Sequence, residues 1–129
     1  MMKISLRSFL PGIAWFFLLL ILLVLPGTDL PAMESWMDFF ESDKLIHLVL
    51  FTLLAYLFMR PIGRSDITVN QKWIYITLIA LLTSAWGLAT EYIQKHLVTG
   101  RSFELMDWAA DTIGAVLALI ITRIFHMRT

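Results

Sequence analysis

Three short runs of this chain carry residues able to move protons or hold anions. In the first, Asp43 and His47 stand four positions apart, and Lys44 is three from His47. On a helix these three side chains share one face. The second run holds Glu91 and Gln94, and the third holds Asp107 and Asp111, again four apart, with Arg101 shortly before them. A histidine beside carboxylates is suited to general acid–base chemistry, and lysine and arginine supply the charge that holds phosphate or carboxylate groups. His47, Glu91, Asp107 and Asp111 are therefore the candidate catalytic residues, with His47 transferring a proton and a carboxylate orienting it or acting as base. Asp43, Lys44, Gln94 and Arg101 are the candidate substrate-binding residues.

The same groups admit other chemistry. His47 with Glu91, Asp107 and Asp111 offers nitrogen and oxygen ligands suited to zinc or manganese. No HExxH or comparable ligand spacing supports a metal, and Lys44 and Arg101 nearby oppose a cation, so no metal ligand and no cofactor is assigned. Each residue also has a purely structural use. Asp43 and Asp107 can cap helices, Lys44 can reach the headgroups, His47 can bond between helices, and Glu91 can pair with Arg101. Asp111, one turn deeper than Asp107, is served least well by these uses. With no cysteine in the sequence there is no disulfide, thiolate ligand or cysteine nucleophile. Ten basic and ten acidic residues give no net charge and no dense basic patch, which excludes nucleic acid as a partner.

The elements that must position these residues are set by the solvent. The chain has 129 residues, 59% of them hydrophobic, and a mean hydropathy of +0.78. The apolar residues fall in long runs, as lipid requires, and do not alternate with charges. An all-α integral membrane bundle of four transmembrane helices in a single domain over 1–129 is expected, with spans near 9–25, 45–60, 73–94 and 106–125. The first span is about 17 residues, roughly 25 Å of helix, just enough for the hydrocarbon core. Lys3 and Arg7 before it also fit a signal peptide, but Leu25 to Asp29 offers no small-x-small cleavage site, so the span is expected to stay. Arg60-Pro61-Ile62-Gly63 is expected to end the second.

Lys3, Arg7, Arg60, Arg64, Lys72, Arg123 and Arg128 fall on one side of these spans, and only Lys44, Lys95 and Arg101 on the other. The positive-inside rule then puts both termini in the cytoplasm and the ionisable cluster on the outer side of the cytoplasmic (inner) membrane. In the first outer connection Pro31, Met33, Trp36, Met37 and Phe40 fall at helical spacings among Glu34, Asp38 and Glu41, which predicts a short interfacial amphipathic helix. On the third span Thr77, Ala80, Ser84, Gly87, Glu91 and Gln94 form a small and polar stripe that must face protein. On the fourth, Gly114, Ala115 and Ala118 continue the face of Asp107 and Asp111 and allow a close neighbour. An ionisable group inside the bilayer boundary costs about 2.5 to 3.5 kcal/mol, so several at one depth imply mutual pairing or a wet pocket.

The ordered set Asp43-Lys44-Leu45-Ile46-His47 with Phe51, then Glu91-Tyr92-Ile93-Gln94, then Arg101, Asp107, Asp111 and Gly114, resembles the VanZ-like family of multi-pass membrane proteins. The resemblance covers about Asp43 to Leu119. The family usually has asparagine where Asp111 stands, so this chain brings one more carboxylate. What the resemblance implies is an envelope protein, of a bacterial family whose named member is associated with resistance to the glycopeptide teicoplanin. A broader role in envelope lipid or surface-glycan metabolism is the expectation.

Two functional readings follow. In the first, an outward-facing pocket binds or processes an envelope amphiphile among the membrane lipids, such as a lipid-linked phosphate, a glycan or a glycopeptide ligand, with oligomerisation open. In the second, the chain is a non-catalytic scaffold or partner-binding protein whose charge cluster is structural. Transport fits less well, because the charges stay near one face and no helix breaks at mid-membrane.

Overall fold

The computed structural model describes residues 3–24, 43–97 and 105–127. A 3-10 turn at Leu6–Phe9 leads into four α-helices: α1 (Leu10–Val24), α2 (Asp43–Gly63), α3 (Val69–Leu97) and α4 (Leu105–His126). Each belongs to a segment long and apolar enough to cross a membrane, so the chain has the build of an all-helical multi-pass membrane protein. The interfacial helix expected around Pro31 to Glu41 lies outside the described residues.

Local signals explain the helix ends. Pro11 sits in the first turn of α1, where its missing N–H forfeits no helical bond. Pro61 falls in the last turn of α2, and the helix runs through it to Gly63. Beyond it, Arg64 N–H bonds the Arg60 carbonyl at 3.1 Å and Ser65 Oγ bonds that of Ile62 at 2.6 Å, closing the end. Helix α3 starts at Val69, four residues before the expected boundary. Thr68 and Gln71 form a reciprocal capping box there: Gln71 N–H donates to Thr68 Oγ1 and Thr68 N–H to Gln71 Oε1, both at 3.2 Å. Lys72, expected in the connection, is consequently in the first turn of α3. It is buried, and its Nζ donates to the Gly63 carbonyl at 2.9 Å.

The helices alternate in direction. Trp15 of α1 donates its indole N–H to Leu50 O of α2 at 3.0 Å, while Gly12, one turn earlier, lies against Phe58. His47 and Tyr56 of α2 meet Asp111 and His126 of α4 in the same order, so these two run parallel. Ser84 and Trp73 of α3 meet Thr112 and Arg123 of α4 in opposite order. The first residues of α1, the α2–α3 turn and the last residues of α4 thus gather at one end. The last residues of α1, the start of α2, the end of α3 and the start of α4 gather at the other.

Packing is intimate where side chains are small. A Cβ on Gly114 would stand 2.8 Å from the Leu48 carbonyl and 2.9 Å from Thr52 Oγ1, so α4 meets the α2 backbone there almost directly. Trp108 Nε1 donates to Ser84 O at 2.9 Å, and the Ser84 and Thr112 hydroxyls bond at 2.8 Å, joining α3 to α4. The distribution of polarity inverts that of a water-soluble protein. Phe17, Ile74, Leu81, Ile113 and Phe125 are exposed, whereas His47, Lys72, Glu91, Asp107 and Asp111 are buried. That is the arrangement an apolar solvent favours.

Candidate functional site

The expected convergence is present at the end where α2 and α4 begin and α3 finishes. His47 comes from the second turn of α2, Glu91 from the last two turns of α3, and Asp107 and Asp111 from the first two turns of α4. Their exposures are 2%, 1%, 3% and 0%, so all four are withdrawn from the surrounding solvent. His47 Nδ1 lies 2.8 Å from Asp111 Oδ1, a hydrogen bond between residues 64 positions apart. An ionised carboxylate only accepts, so with Asp111 ionised the proton is on Nδ1 and Nε2 is the basic nitrogen of the ring. Nε2 in turn stands 3.9 Å from Asp107 Oδ2.

Several neighbours hold this arrangement. Phe51, one turn below His47, lies parallel to the imidazole with ring centroids 6.0 Å apart and an interplanar angle of 2°. The ring is therefore fixed in plane as well as by its hydrogen bond. Gly87 makes room for Asp111: a Cβ at position 87 would meet Asp111 Oδ2 at 2.7 Å and its Cβ at 2.9 Å. That is why a glycine stands in the middle of α3, where alanine would favour the helix by about 1 kcal/mol. Ligand atoms of His47, Glu91 and Asp111 all lie within 4.8 Å of one another, so these three could hold a metal ion. They come from three helices, which is why no local ligand spacing marks them in the sequence.

The other expected residues fall differently. Gln94 is buried, and its Nε2 donates to the Leu23 carbonyl at 3.0 Å, tying the end of α1 to α3. Lys44 is half-buried, one turn before His47. Asp43 opens α2, but its side chain lies outside the described residues, as does Arg101. Of the α3 stripe, Gly87, Glu91 and Gln94 are buried and Ala80 and Ser84 half-buried, but Thr77 is exposed. At that end α3 meets its neighbours through Lys72 and Ile76, and Thr77, about 100° further round, turns outward.

Two features had no counterpart in the sequence reading. At the opposite end Tyr56 Oη and His126 Nε2 are 2.8 Å apart, joining α2 to α4 a second time. A polar residue on each of two parallel apolar helices was the available signal, but nothing in the sequence pairs them. Facing α1, an apolar hollow of about 210 Å³ is lined by Phe16, Leu54, Phe58, Ile79, Leu82, Thr83 and Trp86. Leu54 lies two turns after His47 on α2 and Thr83 about two turns before Glu91 on α3, so the hollow lies deeper along the same helices than the polar cluster. The Trp86 indole N–H is buried and meets no acceptor among the described residues.

No family model matches the chain, and no solved structure matches it. An uncharacterized protein of the fission yeast Schizosaccharomyces pombe is 31% identical over 87 residues, 67% of this chain and 50% of that protein. The chain thus spans about half the length of this curated relative, and the similarity carries no activity with it.

Proposed function

We propose that this is a VanZ-like integral membrane protein that binds or processes an amphiphile of the cell envelope, at a buried acid–base centre on the outer side of the cytoplasmic membrane. The observation that carries the reading is the His47–Asp111 hydrogen bond, buried at 2.8 Å with Glu91 and Asp107 at the same level. Asp111 sets the tautomer and holds the ring, leaving Nε2 to take or return a proton. Asp107, with Oδ2 3.9 Å from Nε2, stabilises the imidazolium that results. Lys44 and Arg101, flanking the cluster in sequence, supply charge for a phosphate or carboxylate of the ligand.

The adjoining apolar hollow supports an amphiphile over a soluble metabolite. A headgroup at the polar cluster would place its chain along Trp86, Leu54 and Phe58, in a space of about 210 Å³. A similar protein in a fission yeast favours chemistry common to both kinds of envelope, a lipid headgroup, over a bacterial glycopeptide. The orientation rests on the basic residues gathered at the opposite end, Arg60, Arg64, Lys72 and Arg123 among them.

The test is complementation of a deletion strain, with the lipid profile measured alongside. His47→Ala, Glu91→Ala and Asp107→Ala at wild-type expression are each expected to fail to restore either. Full restoration by all three would refute the reading. The scaffold reading draws on the same hydrogen bond, since it also locks α2 to α4. It alone expects Lys44→Arg and Asp107→Glu to retain full activity and a protein partner to co-purify.

A further inference from the structure

Beyond acid–base chemistry, we propose that His47, Glu91 and Asp111 together bind a divalent first-row transition ion of the zinc or manganese kind, joining α2, α3 and α4 at one point. The inference deepens the function proposed above, with the ion in place of a free Nε2 as the group that acts on the headgroup, and rests on it for the role of the ion, though not for its binding.

The geometry is the first support. A ring nitrogen of His47 and carboxylate oxygens of Glu91 and Asp111 lie within 4.8 Å of one another. Metal–ligand bonds to these atoms are about 2.0 to 2.2 Å, so atoms sharing an ion stand roughly 3 to 3.5 Å apart. The His47–Asp111 pair is already at 2.8 Å, and Glu91 has three side-chain torsions with which to close the remainder. An ion taking the place of the proton between Nδ1 and Oδ1 needs that pair to open by only a few tenths of an ångström, and the neutral ring then carries its proton on Nε2, the nitrogen 3.9 Å from Asp107 Oδ2.

Burial is the second support, independent of the first. Asp111 is 0% exposed, and its second oxygen, Oδ2, accepts no hydrogen bond among the described residues. A buried carboxylate oxygen is costly without a partner, and Gly87 keeps the space beside it free of a side chain. A divalent ion matches the charge of two ionised carboxylate ligands, so the site as a whole can be neutral inside the bilayer boundary.

The donor set selects the metal class. A nitrogen ligand with two carboxylates suits zinc or manganese, whereas magnesium and calcium prefer oxygen alone. Three protein ligands leave a coordination position open, as in catalytic sites, for a water or an oxygen of the headgroup. Of the two basic residues that spoke against a cation in the sequence, Lys44 is half-buried where the three ligands are fully buried, and Arg101 lies outside the described residues.

The experiment uses the full chain in detergent, stripped with a chelator and then titrated with zinc, manganese or magnesium chloride alone. One equivalent of zinc or manganese per chain is expected to survive gel filtration and raise the unfolding temperature, and magnesium is expected to do neither. Glu91→Gln and Asp111→Asn keep the side-chain volume and are each expected to weaken binding at least tenfold, while Tyr56→Phe at the far end leaves it unchanged. Far-UV circular dichroism identifies any variant that fails to fold. Should both fail, the ligand-field spectrum of the cobalt-loaded wild type decides, since bands of nitrogen and oxygen coordination are expected. No stoichiometric uptake by the folded wild type, binding unaltered in the folded variants, or a cobalt spectrum of the hydrated ion would overturn the proposal. Binding is read without substrate, so the two readings fail separately. A wild type that takes up no ion while His47→Ala fails to complement removes the ion alone, and an ion-binding wild type with a fully complementing His47→Ala removes the envelope function alone.

Discussion

Replacing Gly87 with alanine changes no polar group, yet it should disable the site. The new methyl group would stand 2.9 Å from Asp111 Cβ and 2.7 Å from Asp111 Oδ2, where ordinary contact begins near 3.4 Å. Rotating the carboxylate relieves the second clash but not the first, because a Cβ moves only with its backbone. Helices α3 and α4 must therefore separate by about 0.5 Å locally, the difference between 3.4 and 2.9 Å. If Asp111 moves that far from His47, their 2.8 Å hydrogen bond lengthens to about 3.3 Å, beyond the usual range for N–H···O bonds.

Overpacking of this kind costs about 1 to 3 kcal/mol, and loss of the hydrogen bond adds about 0.5 to 1.5 kcal/mol. Alanine favours the helix by about 1 kcal/mol over glycine, which offsets part of that. A net destabilisation of about 1 to 3 kcal/mol is expected, read by equilibrium unfolding in mixed micelles through tryptophan fluorescence. The imidazole Nδ1–H signal of His47 in the nuclear magnetic resonance spectrum should move as the bond weakens. Gly12→Ala is the comparison, since its methyl group would meet only the edge of the Phe58 ring at 3.0 Å, a side chain free to rotate. It should cost less than about 1 kcal/mol. In an Asp111→Ala background the Cβ clash remains but the His47 hydrogen bond is already gone, so the added cost of Gly87→Ala should fall by about 0.5 to 1.5 kcal/mol, a non-additivity that reports the coupling of the two positions. A Gly87→Ala protein as stable as wild type with an unmoved His47 signal would refute the packing account of the site.

Other outcomes follow from the same structure. Tyr56→Phe removes the hydroxyl that meets His126 Nε2 at 2.8 Å and should cost about 0.5 to 1.5 kcal/mol in micelle unfolding without impairing complementation, because the pair lies at the end away from the cluster. Thr83→Phe fills the apolar hollow while Thr83 contributes only a bond to its own helix, Oγ1 to Ile79 O at 2.7 Å. Stability should change by less than about 1.5 kcal/mol, while native mass spectrometry should show lipid retained by the wild type and lost from the variant. Equal lipid retention would mean that the hollow does not hold the ligand's chain.

The sequence determined by itself whatever depends on the solvent. Long apolar runs have one stable use, so four helices of membrane length were legible from hydropathy, with boundaries within about four residues. The excess at the α3 start came from the Thr68–Gln71 capping box, a signal that a count of apolar residues does not register. Helical periodicity also placed His47, Glu91, Asp107 and Asp111 on inward faces, because oil tolerates such groups only against protein.

Only the tertiary structure decided which of these groups touch. Nothing along the chain distinguishes Asp111 from Asp107 as the partner of His47, and the choice depends on how α4 crosses α2 where Gly114 meets the Leu48 carbonyl. The packing of α3 against its neighbours likewise decides that Gln94 ends on Leu23 and that Thr77 faces outward, and all three helices together bring three residues without any ligand spacing within 4.8 Å. Periodicity fixes the direction a side chain takes from its own helix axis. The rotation and offset between two axes come from the packing of small residues on both, which no single helix records.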